Sequence, residues 1–150
     1  MEILKEGGVT APKGFKAASI AAEIKYKNRT DMAMVYSDVP CLAAGTFTSN
    51  VVKAACVLWD KEIVETKDFA QAVVVNSGIA NACTGKEGFD ACRKTAEAVE
   101  SALGVPAESC LVASTGVIGM QLPVDKLVNG VNGMAKILSD SKEAGSDAAK

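Results

Sequence analysis

Two stretches of the chain share one pattern: an apolar run, then a loop of small polar residues, then an apolar stripe at spacings of three and four. In the first, Phe69-Ala-Gln-Ala-Val-Val-Val75 is nearly all apolar. That predicts a strand in the sheet centre, covered on both faces. Asn76 to Gly85 follows as a loop. Thr84 and Glu87 stand at capping-box spacing and predict a helix start. The helix stripe is Phe89, Cys92, Ala96, Val99 and Leu103, ended by Gly104 and Pro106. In the second, a strand near 110–114 runs into Ser-Thr-Gly-Val-Ile-Gly, and Pro123 suits the first turn of another helix. Val124, Leu127, Val128, Val131, Met134, Ile137 and Leu138 form its apolar face. Gly130 and Gly133 weaken that helix by about 1 kcal/mol each relative to alanine.

The flanking segments are less regular. Residues 7–20 read as a loop feeding a short strand, which Ile20 to Tyr26 extends. Asn28 to Asp31 is a turn cluster and Met32 to Tyr36 a second strand, so the two form a hairpin. Asp38-Val39-Pro40 marks a turn. Residues 41–48 read as a strand containing Gly45. Ser49-Asn50 caps a short helix over Val51 to Ala55, and Asp60 to Glu65 is another short helix. From Ser139 to Lys150 the chain is polar and reads as a surface loop. These elements predict one α+β domain over residues 1–150.

Charge and composition narrow the function classes. The net charge of −2 and the lack of a basic run leave no footprint for nucleic acid. No apolar segment reaches membrane-spanning length and no leader pattern opens the chain, so a cytoplasmic protein is expected. The cysteines at 41, 56, 83, 92 and 110 are odd in number and lack Cys-x-x-Cys spacing. Reduced, buried thiols are expected, with no zinc site and no other metal. The chain has no histidine. A Ser-His-Asp or Cys-His device cannot be assembled from it.

The candidate chemistry lies where each strand ends. A strand ending in hydroxyl and glycine residues frees backbone N–H groups and lets a substrate come close, which suits a developing negative charge. Thr115 and Gly116 are placed for that. The same pattern fits an ordinary strand-to-helix turn. Asn76, Ser77 and Asn81 could line a site, but such residues more often bond their own backbone. Thr46, Thr48, Ser49 and Asn50 are weaker candidates. Cys83 is expected to pack, Asp38, Asp60 and Asp90 to be caps or surface charges, and Met32 and Met34 to share one strand face.

Asn76-Ser-Gly-Ile-Ala-Asn-Ala-Cys-Thr-Gly85 and Ala113-Ser-Thr-Gly-Val-Ile-Gly119 together resemble the ornithine acetyltransferase (glutamate N-acetyltransferase) family. Val9-Thr-Ala-Pro-Lys-Gly-Phe15, Asp31-Met-Ala-Met-Val-Tyr36 and Gly45-Thr-Phe-Thr-Ser-Asn-Val-Val-Lys-Ala-Ala55 fit it too, in the right order. The resemblance implies a helix/sheet/sheet/helix sandwich. It implies acetyl transfer from N-acetylornithine to glutamate in arginine biosynthesis. The precursor cuts itself before a threonine, which becomes the β-chain nucleophile. An N-terminal threonine can use its own α-amine as base, so histidine is dispensable. The motif matching Thr115-Gly116 carries the family's oxyanion donors. The implied partner is the β chain of the same precursor, in an α2β2 assembly. No cofactor is implied; acetyl-CoA is a donor in some members. The family usually has asparagine where Ile79 stands, proline where Cys56 stands, and glycine where Ser19 and Glu23 stand. The chain stops before the family's Thr-Thr-Asp-Thr segment, its substrate lysine and its cleavage threonine, as expected of most of an α chain. Read without the family, the same units suit a non-enzymatic small-molecule binding domain. Nearer alternatives are a related self-cleaving aminopeptidase or an acetyltransferase of secondary metabolism.

Overall fold

A computed structural model describes residues 7–67 and 69–150. Among them one sheet has the order β1-β2-β3-β4. β1 is Phe15–Ile20, β2 Met32–Leu42, β3 Phe69–Asn76 and β4 Cys110–Ser114. The first three are antiparallel neighbours, and β4 joins β3 in parallel. Helices α1 (Ala55–Thr66), α2 (Gly85–Leu103) and α3 (Val124–Ala135) cover one face, and α4 is Lys142–Ala148. The α+β class is as expected. One sheet and its helix layer supply part of the four-layer sandwich that the family implies.

The hairpin forms, with Ile20 opposite Met32. Its first strand ends earlier than expected. Asp31 draws the following backbone into a loop, accepting Ala22 N–H at 2.7 Å and Ile24 N–H at 2.6 Å. Glu23 takes a left-handed φ of 56° there. That conformation suits the glycine the family prefers at this position.

β2 runs through the expected turn. Its register shifts between Tyr36 and Cys41, so Asp38-Val39-Pro40 bulges without ending the strand. Only Cys41 and Leu42 of the expected 41–48 strand are extended in the ladder. The chain then runs without helix or strand to Ala54, and no helix starts at Val51. Instead α1 forms as one helix from Ala55, absorbing the expected Asp60–Glu65 piece. Cys56 lies in its first turn, where the proline usual in the family would also fit.

β3 is not covered equally on both faces. Ala72, Val74 and Asn76 are buried while Gln71, Val73 and Val75 are partly exposed. The three longer helices pack on one side only. α2 forms as expected, but its start differs. Thr84 does not cap; its hydroxyl donates to Asn81 Oδ1 at 2.6 Å. α3 begins at Val124, one residue after Pro123, and Ile137 lies beyond its end, 55% exposed. The polar tail forms a short helix, because Ser141 caps it by accepting Ala144 N–H at 3.1 Å. Ser139 also pairs with Ala17 on the edge of β1.

The core is built from Met32, Met34, Val99, Cys110, Val131 and Met134. Trp59 meets Phe89 edge-on, centroids 5.6 Å apart, joining α1 to α2. α3 approaches the hairpin closely. A Cβ on Gly130 would overlap Met32 Sδ, and one on Gly133 would sit 2.7 Å from Ile20 Cδ1. These glycines lower helix propensity but permit that packing.

Gly130→Ala is therefore expected to destabilise the fold. Its helix-propensity gain of about 1 kcal/mol is outweighed by overpacking, which costs about 1–3 kcal/mol. Glu23→Gly is expected to stabilise it by about 1 kcal/mol by relieving the left-handed backbone. Urea unfolding midpoints of the two variants against the parent check both signs.

Candidate functional site

Parallel pairing of β3 with β4 brings the two loops together. Asn76 lies opposite Ser114, so both strands end at the same level. The ladder continues into the loops. Thr115 N–H donates to Asn76 O at 3.0 Å, Val117 N–H to Gly78 O at 3.1 Å, and Ala80 N–H to Val117 O at 3.0 Å. The two loops therefore meet at one place.

Side chains lock this junction. Asn76, 3% exposed, accepts the Ser114 hydroxyl at 2.7 Å and donates to Ile79 O at 3.1 Å. Ile79 is buried in the core, so the family's usual asparagine is replaced without opening a hole. Asn81, 1% exposed, donates to Gly88 O and Cys92 Sγ and accepts from Thr84. Both asparagines spend their polar atoms holding the loops, the structural alternative weighed for them. Ser77 is half-buried, and its N–H donates to Asp31 O at 2.8 Å.

Thr115 and Gly116 sit exposed at the end of this scaffold. In a strand pair, successive N–H groups point to opposite sides. Thr115 and Val117 point theirs at the 76–78 segment, so Gly116 N–H faces the other way. No hydrogen bond engages Gly116 N–H or the Thr115 hydroxyl among the described residues. Gly116 has φ 138°, and a Cβ there would overlap the Gly78 backbone. Glycine is thus required for loop packing in addition to any substrate approach. Val117, Ile118 and Met120 form an exposed apolar rim beside the pair.

The other candidates fall elsewhere. Thr46, Thr48, Ser49 and Asn50 stand exposed along the irregular 43–54 segment, and none bonds to the 114–119 loop. Cys83 does not pack: it is exposed, at a left-handed φ of 57°. All five cysteines are free; Cys56, Cys92 and Cys110 are buried and Cys41 is partly so. Asp38 and Asp90 pair with Lys16 and Arg93 at the surface. Met32 and Met34 are core residues. No group of side chains among the described residues could hold a metal ion.

Asp60 departs from its expectation as a cap or surface charge. It lies mid-helix in α1 and accepts Val112 N–H at 2.9 Å. Burial pushes its carboxyl up to about 6, opposed by the Val112 N–H. Burial likewise pushes Cys92 up to about 12, and it raises Cys56 and Cys110. No local motif marks Asp60; only its spacing from Trp59 and Cys56 on one helix face hints at an inward position.

The chain has relatives by sequence and by fold. Residues 16–150 match the ArgJ family. The chain is 46% identical over 144 residues to the arginine biosynthesis bifunctional protein ArgJ of Gloeobacter violaceus, covering 96% of this chain and 35% of that protein. It is 49% identical over 129 residues to the namesake of Thermotoga neapolitana, covering 85% of this chain and 32% of that one. The crystal structure of an ornithine acetyltransferase complexed with ornithine, from Mycobacterium tuberculosis, superposes with a TM-score of 0.91 at 45% identity. That match covers 97% of this chain and 78% of the other. The chain spans about a third of the length of the curated relatives it matches. By sequence and by fold, the chain belongs to the ArgJ family.

Proposed function

We propose that residues 1–150 are most of the α chain of an acetyltransferase that moves acetyl from N-acetylornithine to glutamate, with Thr115 and Gly116 as its oxyanion donors. The observation that carries this reading is the pair itself. An exposed hydroxyl and an exposed N–H, both uncommitted, stand side by side on a scaffold fixed by Asn76 and Gly78.

The chemistry follows from what the chain lacks. Without histidine, the nucleophile and base come from elsewhere, here a β-chain N-terminal threonine and its own amine. The threonine Oγ attacks the acetyl carbonyl while the amine takes its proton. Negative charge develops on the carbonyl oxygen, where Thr115 Oγ–H and Gly116 N–H donate to it. Collapse expels ornithine, whose departing nitrogen receives the proton, and leaves an acyl ester. The glutamate amine then attacks that ester and loses a proton to the threonine α-amine, which passes it to Oγ as the acyl C–O bond breaks, freeing the threonine and leaving the acetyl on glutamate. No cofactor enters these steps; acetyl-CoA would act only as an alternative acetyl donor. The apolar rim of Val117, Ile118 and Met120 and the half-covered β3 face suit burial by the β chain, in an α2β2 assembly. Cytoplasmic location completes the reading. It agrees with the described residues containing no helix long and apolar enough to cross a membrane.

Residues 1–150 alone are expected to show no transfer, and co-expression with the β chain to restore it. In that assembly Thr115→Ala should cost on the order of 10²–10³ in turnover with little change in KM. Thr115→Ser should cost much less. Steady-state acetyl transfer is the assay, with cleavage checked by mass. Turnover of matured Thr115→Ala within a few-fold of the parent would return Thr115 to the status of a turn residue.

A further inference from the structure

Among the described residues β4 lies at the end of the sheet order, with no partner strand on its outer edge. Such an edge leaves backbone polar groups to water or to another chain. Here α1 takes them. Trp59 Nε1–H donates to Cys110 O at 2.9 Å, Asp60 Oδ1 accepts Val112 N–H at 2.9 Å, and the Cys56 thiol lies close to Ser114 N–H. Positions 56, 59 and 60 share one helix face. Their partners are every second residue of β4, hence one strand edge. The next group along that edge is Gly116 N–H, which lies past the start of α1 and stays free. The helix thus acts as a substitute neighbour for the strand and stops where the proposed donors begin.

We propose that Asp60 is a positioning residue for Thr115 and Gly116: by holding Val112 N–H it fixes how β4 delivers the two donors. This rests on the oxyanion reading above. Trp59 grips the same edge with a neutral group, whereas Asp60 carries a charge that protonation removes. Facing it are Cys56 on its own helix, Cys92 on α2 and Cys110 on β4. Burial raises all three thiols, so they stay neutral around pH 7. No ion pair holds Asp60 among the described residues. Its ionised form is the stronger acceptor for Val112 N–H.

The same titration acts oppositely on stability. The folded-state carboxyl sits at about 6, above its ordinary 3.8, so the fold favours the protonated acid. The stability this contributes is complete below 3.8 and is lost as pH rises through about 6. Donor placement instead improves over that window. A purely structural residue would move stability and turnover together.

The test uses the full-length precursor, matured, with Asp60→Leu and Asp60→Asn. Asp60→Leu is expected to lower kcat about tenfold or more at near-constant KM. It should also speed amide exchange at residues 112–116. Asp60→Asn keeps an acceptor oxygen and should restore kcat to within a few-fold. It should also remove the component of the pH–kcat profile that follows the Asp60 carboxyl near 6, leaving the fall set by the threonine α-amine base, while its Tm advantage over the parent appears between pH 4 and 7. A folded Asp60→Leu with parental kcat and parental exchange overturns the assignment, as does failure of Asp60→Asn to rescue. Faster exchange with unchanged kcat shows that the strand is held but carries no donors, which defeats the oxyanion reading with it. A parent that transfers no acetyl defeats the proposed function separately, whatever the exchange result.

Discussion

Strand β4 is held on both sides, and the candidate site depends on that. On one side it pairs in parallel with β3, through backbone bonds that continue past the strand ends into the loops. On the other, α1 supplies side chains where a further strand would stand. Parallel pairing needs a long crossover, and α2 provides it, tied to the 76–85 loop through Asn81, Thr84 and Gly88. A strand so fixed can present a backbone N–H at its end without local support. That is the physical condition for a preorganised donor, because no reorganisation remains to be made when charge develops.

The site is nonetheless an open one. Thr115 and Gly116 are exposed, and their rim is apolar. Donors in water gain little from a developing oxyanion; they matter when a wall excludes solvent. The sheet itself is finished on one face and half-covered on the other, where α4 reaches the β1–β2 side. The chain spans about a third of the length of its curated relatives.

Much of this was legible in residue order because it rests on local patterns. The stripe of α2, the run of β3, the β1–β2 hairpin and the Ser-Thr-Gly break after β4 each follow from spacing or turn chemistry. The misreadings lie where tertiary contacts decide. α1 opens with Ala-Cys-Val-Leu-Trp and has no capping side chain, so it reads as separate short pieces. Its helix is justified by what 56, 59 and 60 do for β4, which spacing cannot reveal. α4 is polar and short, and stands on a single serine cap. The covering on both faces expected for β3 failed because a nearly all-apolar strand does not state which face is buried here. Asp60 looked like a surface charge because acids usually are. Gly116 was singled out for substrate approach, and its need to pass Gly78 is visible only with both loops in place.

In the proposed assembly Gly116 N–H, alone among the backbone groups of its loop, donates to developing charge. Amide NMR of the assembled enzyme tests it directly, by adding a tetrahedral phosphonate analogue of the acetyl-transfer intermediate. The account predicts a large downfield shift of the Gly116 amide proton. Thr115 and Val117 amides, already bonded to Asn76 and Gly78, should move little. An unmoved Gly116 amide in the saturated complex would contradict it.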